Sequence, residues 1–229
     1  LSRALRPWIP LVALVFVVGC TNDDDDANIE GPDFPTGPGR IYNVASVEFN
    51  TVDGVSISAS YGNIPGAGPH AVVILVHQIG IPEARQEWLS SGVFEALLEG
   101  GYNVLALDLR GHGDSSLPAD GRPQDVLLVE DLEDMHLEVR GAVTWLLTQA
   151  SADRARMGVI GNSIGGNVAY VSMGAFPETL QAGIALSPGF WDDDLQPLVI
   201  GSGIDPFTPP SILSVVGEDD QISLSETEA

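Results

Sequence analysis

The chain has 229 residues, a formal net charge of −23 at pH 7 and one cysteine. This length fits a single α/β domain, because sequential βα units bury one shared core at this size. Nine basic residues, all of them arginine, stand against 32 acidic ones. Such a protein repels phosphate backbones, so we expect no nucleic-acid partner. A single cysteine excludes an intramolecular disulfide and a cysteine-based metal site, and we expect no cofactor.

The first twenty residues have the organisation of a bacterial export signal. Arg3 and Arg6 precede an apolar run over residues 9–18, which is too short for a comfortable transmembrane span. The run ends in Val-Val-Gly followed by Cys20. This ending resembles the bacterial lipobox, in which the cysteine is acylated and becomes the mature N-terminus. We therefore predict a signal peptide at 1–19 and a lipid anchor on Cys20, with an uncleaved N-terminal anchor helix as the alternative.

Residues 20–43 are predicted to form an acidic tether rich in proline and glycine. The adjacent aspartates Asp23 to Asp26 cannot be buried in a core, and a calcium site in this run is the alternative interpretation. The lipid anchor implies an extracytoplasmic protein of the bacterial cell envelope, with the membrane as its partner. Thr21 follows the cysteine where an aspartate would oppose sorting, which favours the outer membrane in a Gram-negative host.

From residue 44 onward the pattern predicts strands and helices in alternation. Residues 46–49 and 55–58 alternate between polar and apolar side chains around Asp53-Gly54, which predicts an antiparallel hairpin. Continuously apolar runs then predict parallel strands buried on both faces, at 71–76, 104–107, 157–160, 182–186 and 212–216. Helical spacing predicts the connecting helices, at 88–99, 131–149 and 164–174. This order predicts a mainly parallel, doubly wound sheet within one domain at 44–229.

The strongest chemical signal is the segment Gly161-Asn162-Ser163-Ile164-Gly165, between a predicted buried strand and a predicted helix. A serine on a sharp strand-to-helix turn needs small residues two positions before and after it, so that the strained backbone clears its neighbours. Both positions are glycine here. The segment therefore predicts that Ser163 is a nucleophile. The alternative is a glycine-rich turn that happens to contain a serine.

Three further segments support a family resemblance. Residues 108–115 read Asp-Leu-Arg-Gly-His-Gly-Asp-Ser, residues 77–80 read His-Gln-Ile-Gly, and residues 217–220 read Gly-Glu-Asp-Asp. Together with the serine segment, they make the chain resemble the α/β-hydrolase superfamily, and within it the serine esterases and dienelactone-hydrolase-like proteins. The resemblance extends over residues 44–223. Because the dienelactone hydrolases use cysteine as nucleophile, their lactone specificity is not implied.

The resemblance implies an α/β-hydrolase fold and acyl transfer through Ser163. The backbone N–H of Ile164 would stabilise the oxyanion, together with a second N–H from Gln78 or from Ile79 in the loop after the third strand. A serine hydroxyl is a poor nucleophile at its ordinary pKa. The mechanism therefore requires a histidine base that a carboxylate orients.

The family orders its catalytic residues as serine, acid and histidine. Asp220 is the predicted acid and Asp219 the fallback, unless the pair forms only an exposed acidic turn. No histidine follows Asp220, and the four histidines all precede Ser163: His70, His77, His112 and His136. We expect none of them to be the base. We expect instead a C-terminally truncated form of a longer protein, which lacks the last strand, the last helix and the catalytic histidine; a natural ending is the alternative.

Two classes of function remain open at this point. The leading hypothesis is an extracytoplasmic serine hydrolase that cleaves a carboxylic ester of small or medium acyl size through an acyl-enzyme. Thioester and peptide bonds remain possible, because they use the same machinery. The second class is a catalytically dead α/β-hydrolase-fold lipoprotein with a binding or scaffold role, which the missing histidine favours and the intact serine segment opposes. As given, the 229-residue chain is expected to be inactive or nearly so, and poorly folded.

The lipid anchor leads to a first testable prediction. Labelled palmitate should enter the protein in a bacterial host and be lost in the Cys20→Ser variant, because a hydroxyl offers no thiol for acylation. Metabolic labelling followed by gel fluorography measures this. Equal labelling of both proteins would contradict the anchor.

Overall fold

The computed structural model describes residues 42–66, 68–79, 84–120, 127–188, 211–218 and 220. The strands in this part of the chain are β1 (Asn43–Asn50), β2 (Ser56–Asn63), β3 (His70–Val76), β4 (Asn103–Leu107), β5 (Ala152–Asn162), β6 (Leu180–Leu186) and β7 (Ile212–Val215). The helices are α1 (Gln86–Ser90), α2 (Val93–Glu99), α3 (Val129–Asp134), α4 (His136–Leu146) and α5 (Ile164–Ala175). The signal peptide, Cys20 and nearly all of the acidic tether lie outside the described residues, so they stay predictions.

The strands form one sheet in the order β1-β2-β4-β3-β5-β6-β7. β2 is antiparallel to both β1 and β4, while every other neighbouring pair is parallel. The hairpin between β1 and β2 includes Gly54, whose φ of 85° is in the left-handed region that glycine adopts readily. This topology confirms the predicted fold class, a mainly parallel, doubly wound sheet with an N-terminal antiparallel hairpin.

Side chains on β3 and β4 alternate between two hydrophobic cores on opposite faces of the sheet. On β3, Ile74 faces the core that contains α4 and α5, and Leu75 faces the core that contains α1 and α2. On β4, Leu105 and Ala106 divide in the same way. Because successive side chains of a strand point to opposite faces, a strand buried on both sides must be apolar throughout. The helices therefore cover both faces, as the apolar runs predict.

The helix predicted at 88–99 is two helices, which corrects the sequence-based expectation. Gly92 lies between α1 and α2 with a φ of 79°, a left-handed conformation that a helix interior does not contain. The apolar spacing continues across the break, because Trp88, Phe94 and Leu98 all pack into the same core. Spacing alone therefore could not reveal the interruption.

The helix predicted at 131–149 is also divided, at Met135, between α3 and α4. The carbonyl oxygen of Asp134 accepts a hydrogen bond from Arg110 Nη2 at 3.2 Å. The Glu138 N–H, four residues further on, donates to the Met135 carbonyl instead, at 3.3 Å. A side chain inserted into the i→i−4 ladder interrupts an α-helix in this way. The cause lies in a residue from another part of the chain.

Arg110 and Glu138 form a fully buried ion pair beside this break. Arg110 Nε donates to Glu138 Oε1 at 2.7 Å, Arg110 Nη2 donates to Glu138 Oε2 at 3.1 Å, and both side chains have no exposed surface. Asp53 of the β1–β2 hairpin adds a contact to Arg110 Nη1 at 3.0 Å. Burial raises the pKa of the Glu138 carboxyl to about 7, although the Arg110 guanidinium lowers it. The pair connects the hairpin, the loop after β4 and helix α4.

Replacing Arg110 by methionine should destabilise the full-length protein strongly. The substitution leaves the Glu138 carboxylate buried without its counter-ion, which costs about 3–5 kcal/mol in free energy of unfolding. Urea denaturation measures the change. Arg140→Met is the matched control, because Arg140 is exposed on the same helix and should change stability by less than about 0.5 kcal/mol. Equal stability of the two variants would contradict the importance of the pair.

Candidate active site

Ser163 lies at the turn between the end of β5 and the start of α5. Its backbone has φ 53° and ψ −121°, a conformation that residues other than glycine rarely adopt. Such a residue costs on the order of 1–3 kcal/mol and persists only where its surroundings enforce it. The Ser163 N–H donates to the Leu186 carbonyl at 2.9 Å, and the Ser163 carbonyl accepts from the Gly166 N–H at 2.7 Å. The end of β6 and the first turn of α5 therefore hold the strained residue from both sides.

Two glycines permit this turn because a side chain at either position would collide with backbone atoms. A Cβ atom at Gly161 would lie 1.7 Å from the carbonyl oxygen of Gly165. One at Gly165 would lie 2.3 Å from the carbonyl oxygen of Val76, the last residue of β3. The first turn of α5 thus packs directly against the end of β3. This is the geometry that the Gly-x-Ser-x-Gly spacing requires.

Ile164 is the first residue of α5. The N–H groups of a first helical turn have no carbonyl partner within the helix, and the helix dipole makes this end favourable for negative charge. The structure therefore places the Ile164 N–H directly after Ser163, where the predicted oxyanion donor should be. Its catalytic role stays a prediction.

His77 is buried and uses both of its ring nitrogens. Nε2 accepts a hydrogen bond from the Leu109 N–H at 2.9 Å, so Nδ1 carries the proton and donates to the Gln78 carbonyl at 2.6 Å. The pKa of His77 is lowered to about 4, mainly by burial and to a smaller extent by the neighbouring His112. The hydrogen bond to Gln78 opposes both. The ring is a neutral connector between the loops after β3 and β4. The expectation that His77 is not the catalytic base stays a prediction.

Glu87 of α1 connects the loop after β3 to the turn at Ser163. Its Oε1 accepts a hydrogen bond from Asn162 Nδ2 at 2.7 Å, and its Oε2 accepts from the Gln78 N–H at 3.3 Å. The Gln78 N–H, one of the two predicted candidates for the second oxyanion donor, is thus already engaged. This favours the other candidate, the Ile79 N–H. No motif drew attention to Glu87, because its partners are nine and 75 residues away in the sequence.

The loop after β4 is tied to the start of α1 by Asp108. This buried carboxylate accepts hydrogen bonds from the Arg85 N–H at 2.8 Å and from the Asp114 N–H at 3.0 Å. It also pairs with the Arg85 guanidinium, which reaches Asp114 Oδ2 at 2.9 Å as well. The Asp-x-Arg-Gly-His-Gly-x-Ser motif therefore acts in the described structure by holding loops together.

The other histidines are engaged with backbone atoms or lie in strands. His112 Nδ1 donates to the Arg110 carbonyl at 3.0 Å, and His136 Nδ1 donates to the Glu133 carbonyl at 2.9 Å. His70 is the first residue of β3. Within the described residues, the hydroxyl of Ser163 has no hydrogen bond to any of the four histidines.

Asp220 follows β7, and its N–H donates to the Gly217 carbonyl at 3.0 Å in a tight turn. β7 pairs with β6, and β6 pairs with β5, the strand that ends at Ser163. All three strands are parallel, so their carboxyl ends lie at one edge of the sheet. The fallback acid, Asp219, lies outside the described residues.

The described part of the chain contains no group of three or more His, Cys, Asp or Glu side chains that could hold a metal ion. None of its helices is long and apolar enough to cross a membrane.

The family described as "Hydrolase_4: Serine aminopeptidase, S33" matches residues 67–209, which is more than half of the chain. The chain belongs to this family. The match includes the loop after β3, the loop after β4 and the turn at Ser163, which are the parts of the fold that surround the candidate site.

Solved and curated proteins agree with the family match. An esterase of Pyrococcus furiosus, Pf2001, superposes with a TM-score of 0.52 and 30% identity, over 66% of this chain and 54% of that chain. Acetyl xylan esterase 1 from Thermoanaerobacterium superposes with a TM-score of 0.52 over 64% of this chain and 48% of that one; its 22% identity bears on the fold alone. "Dipeptidyl peptidase family member 6" of Caenorhabditis elegans is 31% identical over 132 residues, 58% of this chain. The chain thus spans about half the length of these structures and 17% of the curated relative.

The depressed pKa of His77 predicts how stability changes with pH in this family member. Its folded pKa of about 4 lies below the ordinary 6.5, so the unfolded chain binds more protons between these values. The His77 contribution is complete above pH 6.5 and is lost as the pH falls towards 4, by on the order of 3 kcal/mol.

The His77→Gln variant removes this titration. It should be less stable than wild type at pH 8, where the loss reports packing and hydrogen bonds alone. The difference between the two proteins should shrink as the pH falls from 6.5 to 4.5, because only wild type loses the His77 contribution. Urea denaturation at a series of pH values measures this, and a constant difference would contradict the neutral, buried histidine.

Proposed function

We propose that this protein is a serine hydrolase that cleaves carboxylic esters through an acyl-enzyme. The main support is the strained backbone of Ser163, held between β5 and α5 by glycines that admit no side chain. Strain of this kind concentrates at functional sites. A turn with only a structural role would have no reason to hold a serine in a conformation that glycine adopts without cost.

In the proposed reaction Ser163 Oγ attacks the acyl carbon, and the carbonyl oxygen becomes an oxyanion. The Ile164 N–H and the Ile79 N–H stabilise it, because Glu87 already accepts a hydrogen bond from Gln78. The alcohol leaves with the proton that the serine has lost. Water then attacks the acyl-enzyme, the acid is released and the serine hydroxyl is restored.

A histidine base with Asp220 as its orienting acid completes this proposal. His77 cannot fill the role, because one ring nitrogen accepts from Leu109 and the other donates to Gln78. His112 and His136 each use Nδ1 to contact a backbone carbonyl, where a triad histidine would meet its acid. We therefore propose that the base is none of these three histidines.

The comparisons favour an ester as the bond that is cleaved. The Pyrococcus furiosus protein is an esterase by name, and its 30% identity to this chain supports a shared chemistry. The second candidate is a peptide bond, which the family description and the 31% identity to a dipeptidyl peptidase family member favour. Parallel assays with p-nitrophenyl acetate and with aminoacyl p-nitroanilides separate the two.

We also propose that the enzyme acts outside the cytoplasm, on the membrane that holds the acylated Cys20. The support is the apolar segment that ends in Gly19-Cys20, followed by an acidic tether. A single diacylated cysteine without a basic patch would hold the protein by hydrophobic contact.

The nucleophile is tested with Ser163→Ala in the full-length protein. This variant should lose covalent labelling by a fluorophosphonate and should lower kcat for p-nitrophenyl butyrate by about three orders of magnitude or more. Ser90→Ala is the matched control, because Ser90 is exposed on α1 and its hydroxyl bonds only to backbone carbonyls. Labelling that survives Ser163→Ala would show that another residue is the nucleophile. A correctly folded wild type without labelling would favour the non-catalytic alternative.

A further inference from the structure

Glu87 joins two strand ends that the proposed reaction needs in a fixed relation. Gln78 immediately precedes Ile79 in the loop after β3, and Asn162 immediately precedes Ser163 at the end of β5. The Glu87 carboxylate accepts from both, at 3.3 Å from the Gln78 nitrogen and 2.7 Å from Asn162 Nδ2. One side chain from a third element therefore connects the two segments that carry the oxyanion donors.

We propose that Glu87 is a positioning residue that sets the distance between the Ile79 and Ile164 N–H groups. This inference rests on the proposed function. Oxyanion donors act when they lie about 2.7–3.1 Å from the oxyanion, and a misplacement of about 1 Å lowers the rate on the order of a hundredfold. Among the described residues, the carboxylate of Glu87 accepts hydrogen bonds from Gln78 and Asn162 and from neither of these two donors. The carboxylate acts through the residues that precede them.

Glu87 is itself held firmly enough to serve as a reference point. Two residues earlier, Arg85 is fixed by Asp108 and by Asp114 in the loop after β4. The next residue, Trp88, is 2% exposed in the core beneath α1. The short helix is therefore anchored on both sides of Glu87, so the carboxylate transmits a fixed position to Gln78 and Asn162.

The chemistry of the two partners explains why this position holds a carboxylate. Both present N–H groups, and an ionised carboxylate offers two oxygens that only accept. An amide at position 87 would place its own NH₂ against one of these donors. Hydrogen bonds to a charged acceptor are also stronger than neutral ones. The negative charge opposes an oxyanion nearby, so the residue is favourable only if its contribution to geometry outweighs that repulsion.

The test exchanges the polarity of the Glu87–Asn162 hydrogen bond in the full-length protein. Glu87→Gln places an NH₂ group against one of the two donors, Asn162 or Gln78. Asn162→Asp places a second carboxylate against that of Glu87. Each single variant should lower kcat for p-nitrophenyl butyrate by about ten- to a hundredfold, with KM within about threefold of wild type. In the double variant, the introduced amide donates to the introduced carboxylate and still accepts from the Gln78 N–H. Both bonds are rebuilt at the same total charge, so kcat should recover to within about fivefold of wild type.

Active-site titration with a fluorophosphonate separates positioning from folding. If Glu87 sets geometry, the variants keep a full complement of titratable Ser163, and kcat per titrated site falls. Glu99→Gln, an exposed change on α2, is the control and should match wild type.

Four outcomes would overturn the inference, and they are distinguishable. A Glu87→Gln variant as active as wild type excludes a positioning role. So does a lower titratable fraction with unchanged kcat per site, because that result is a folding defect. A double variant no better than the worse single variant excludes the hydrogen bond as the cause. A wild type that is neither labelled nor active overturns the proposed function, and this inference with it.

Discussion

The close approach of α5 to the end of β3 is the contact on which the candidate site depends. Gly165 lies where any Cβ atom would come within 2.3 Å of the Val76 carbonyl oxygen, and Gly161 lies where one would meet the Gly165 carbonyl. Because these backbones can touch, the chain reverses from strand to helix within one residue. That residue is Ser163, and its strain is balanced by the burial of α5, whose apolar side chains complete one of the two cores. The sheet therefore holds the turn at Ser163 in a fixed position.

Carboxylates organise the loops around this turn. Asp108 accepts backbone N–H groups from two loop segments, and Glu87 accepts one backbone and one side-chain donor. Glu138 accepts from the side chain and the backbone N–H of Arg110. In each case a group with two acceptor oxygens connects segments that are far apart in the sequence. An acidic composition therefore does more here than keep the surface soluble, because part of the negative charge satisfies donors inside the fold.

The features that could be predicted from the sequence are those set by local residue order. The apolar runs of β3 and β4 and the glycine spacing around Ser163 each reflect a constraint within a few neighbouring residues. The predictions of two continuous helices, at 88–99 and at 131–149, were wrong for different reasons. The first helix is interrupted at Gly92, a glycine that the sequence shows but that lies within a continuous apolar spacing. The second is interrupted at Met135 because of Arg110, which is 25 residues earlier in the sequence. Glu87 escaped notice because its role exists only once β3 and β5 are side by side. The assignments of Ser163, Ile164 and Asp220 to catalysis stay predictions, of which the Ser163→Ala variant tests the first.

The absence of lysine makes the response of this fold to alkali different from its response to acid. A lysine ammonium loses its charge near pH 10.4, whereas a guanidinium keeps its charge beyond pH 12. Arg110, the buried cation that joins the β1–β2 hairpin to α4, is therefore charged over the whole ordinary pH range. Burial raises the pKa of Glu138 to about 7, above its ordinary 4.5, so between these values the folded protein binds more protons at this carboxyl than the unfolded chain does. The stability that this carboxyl contributes is therefore complete below pH 4.5 and is lost as the pH rises through 7, even though the ionised form pairs with Arg110.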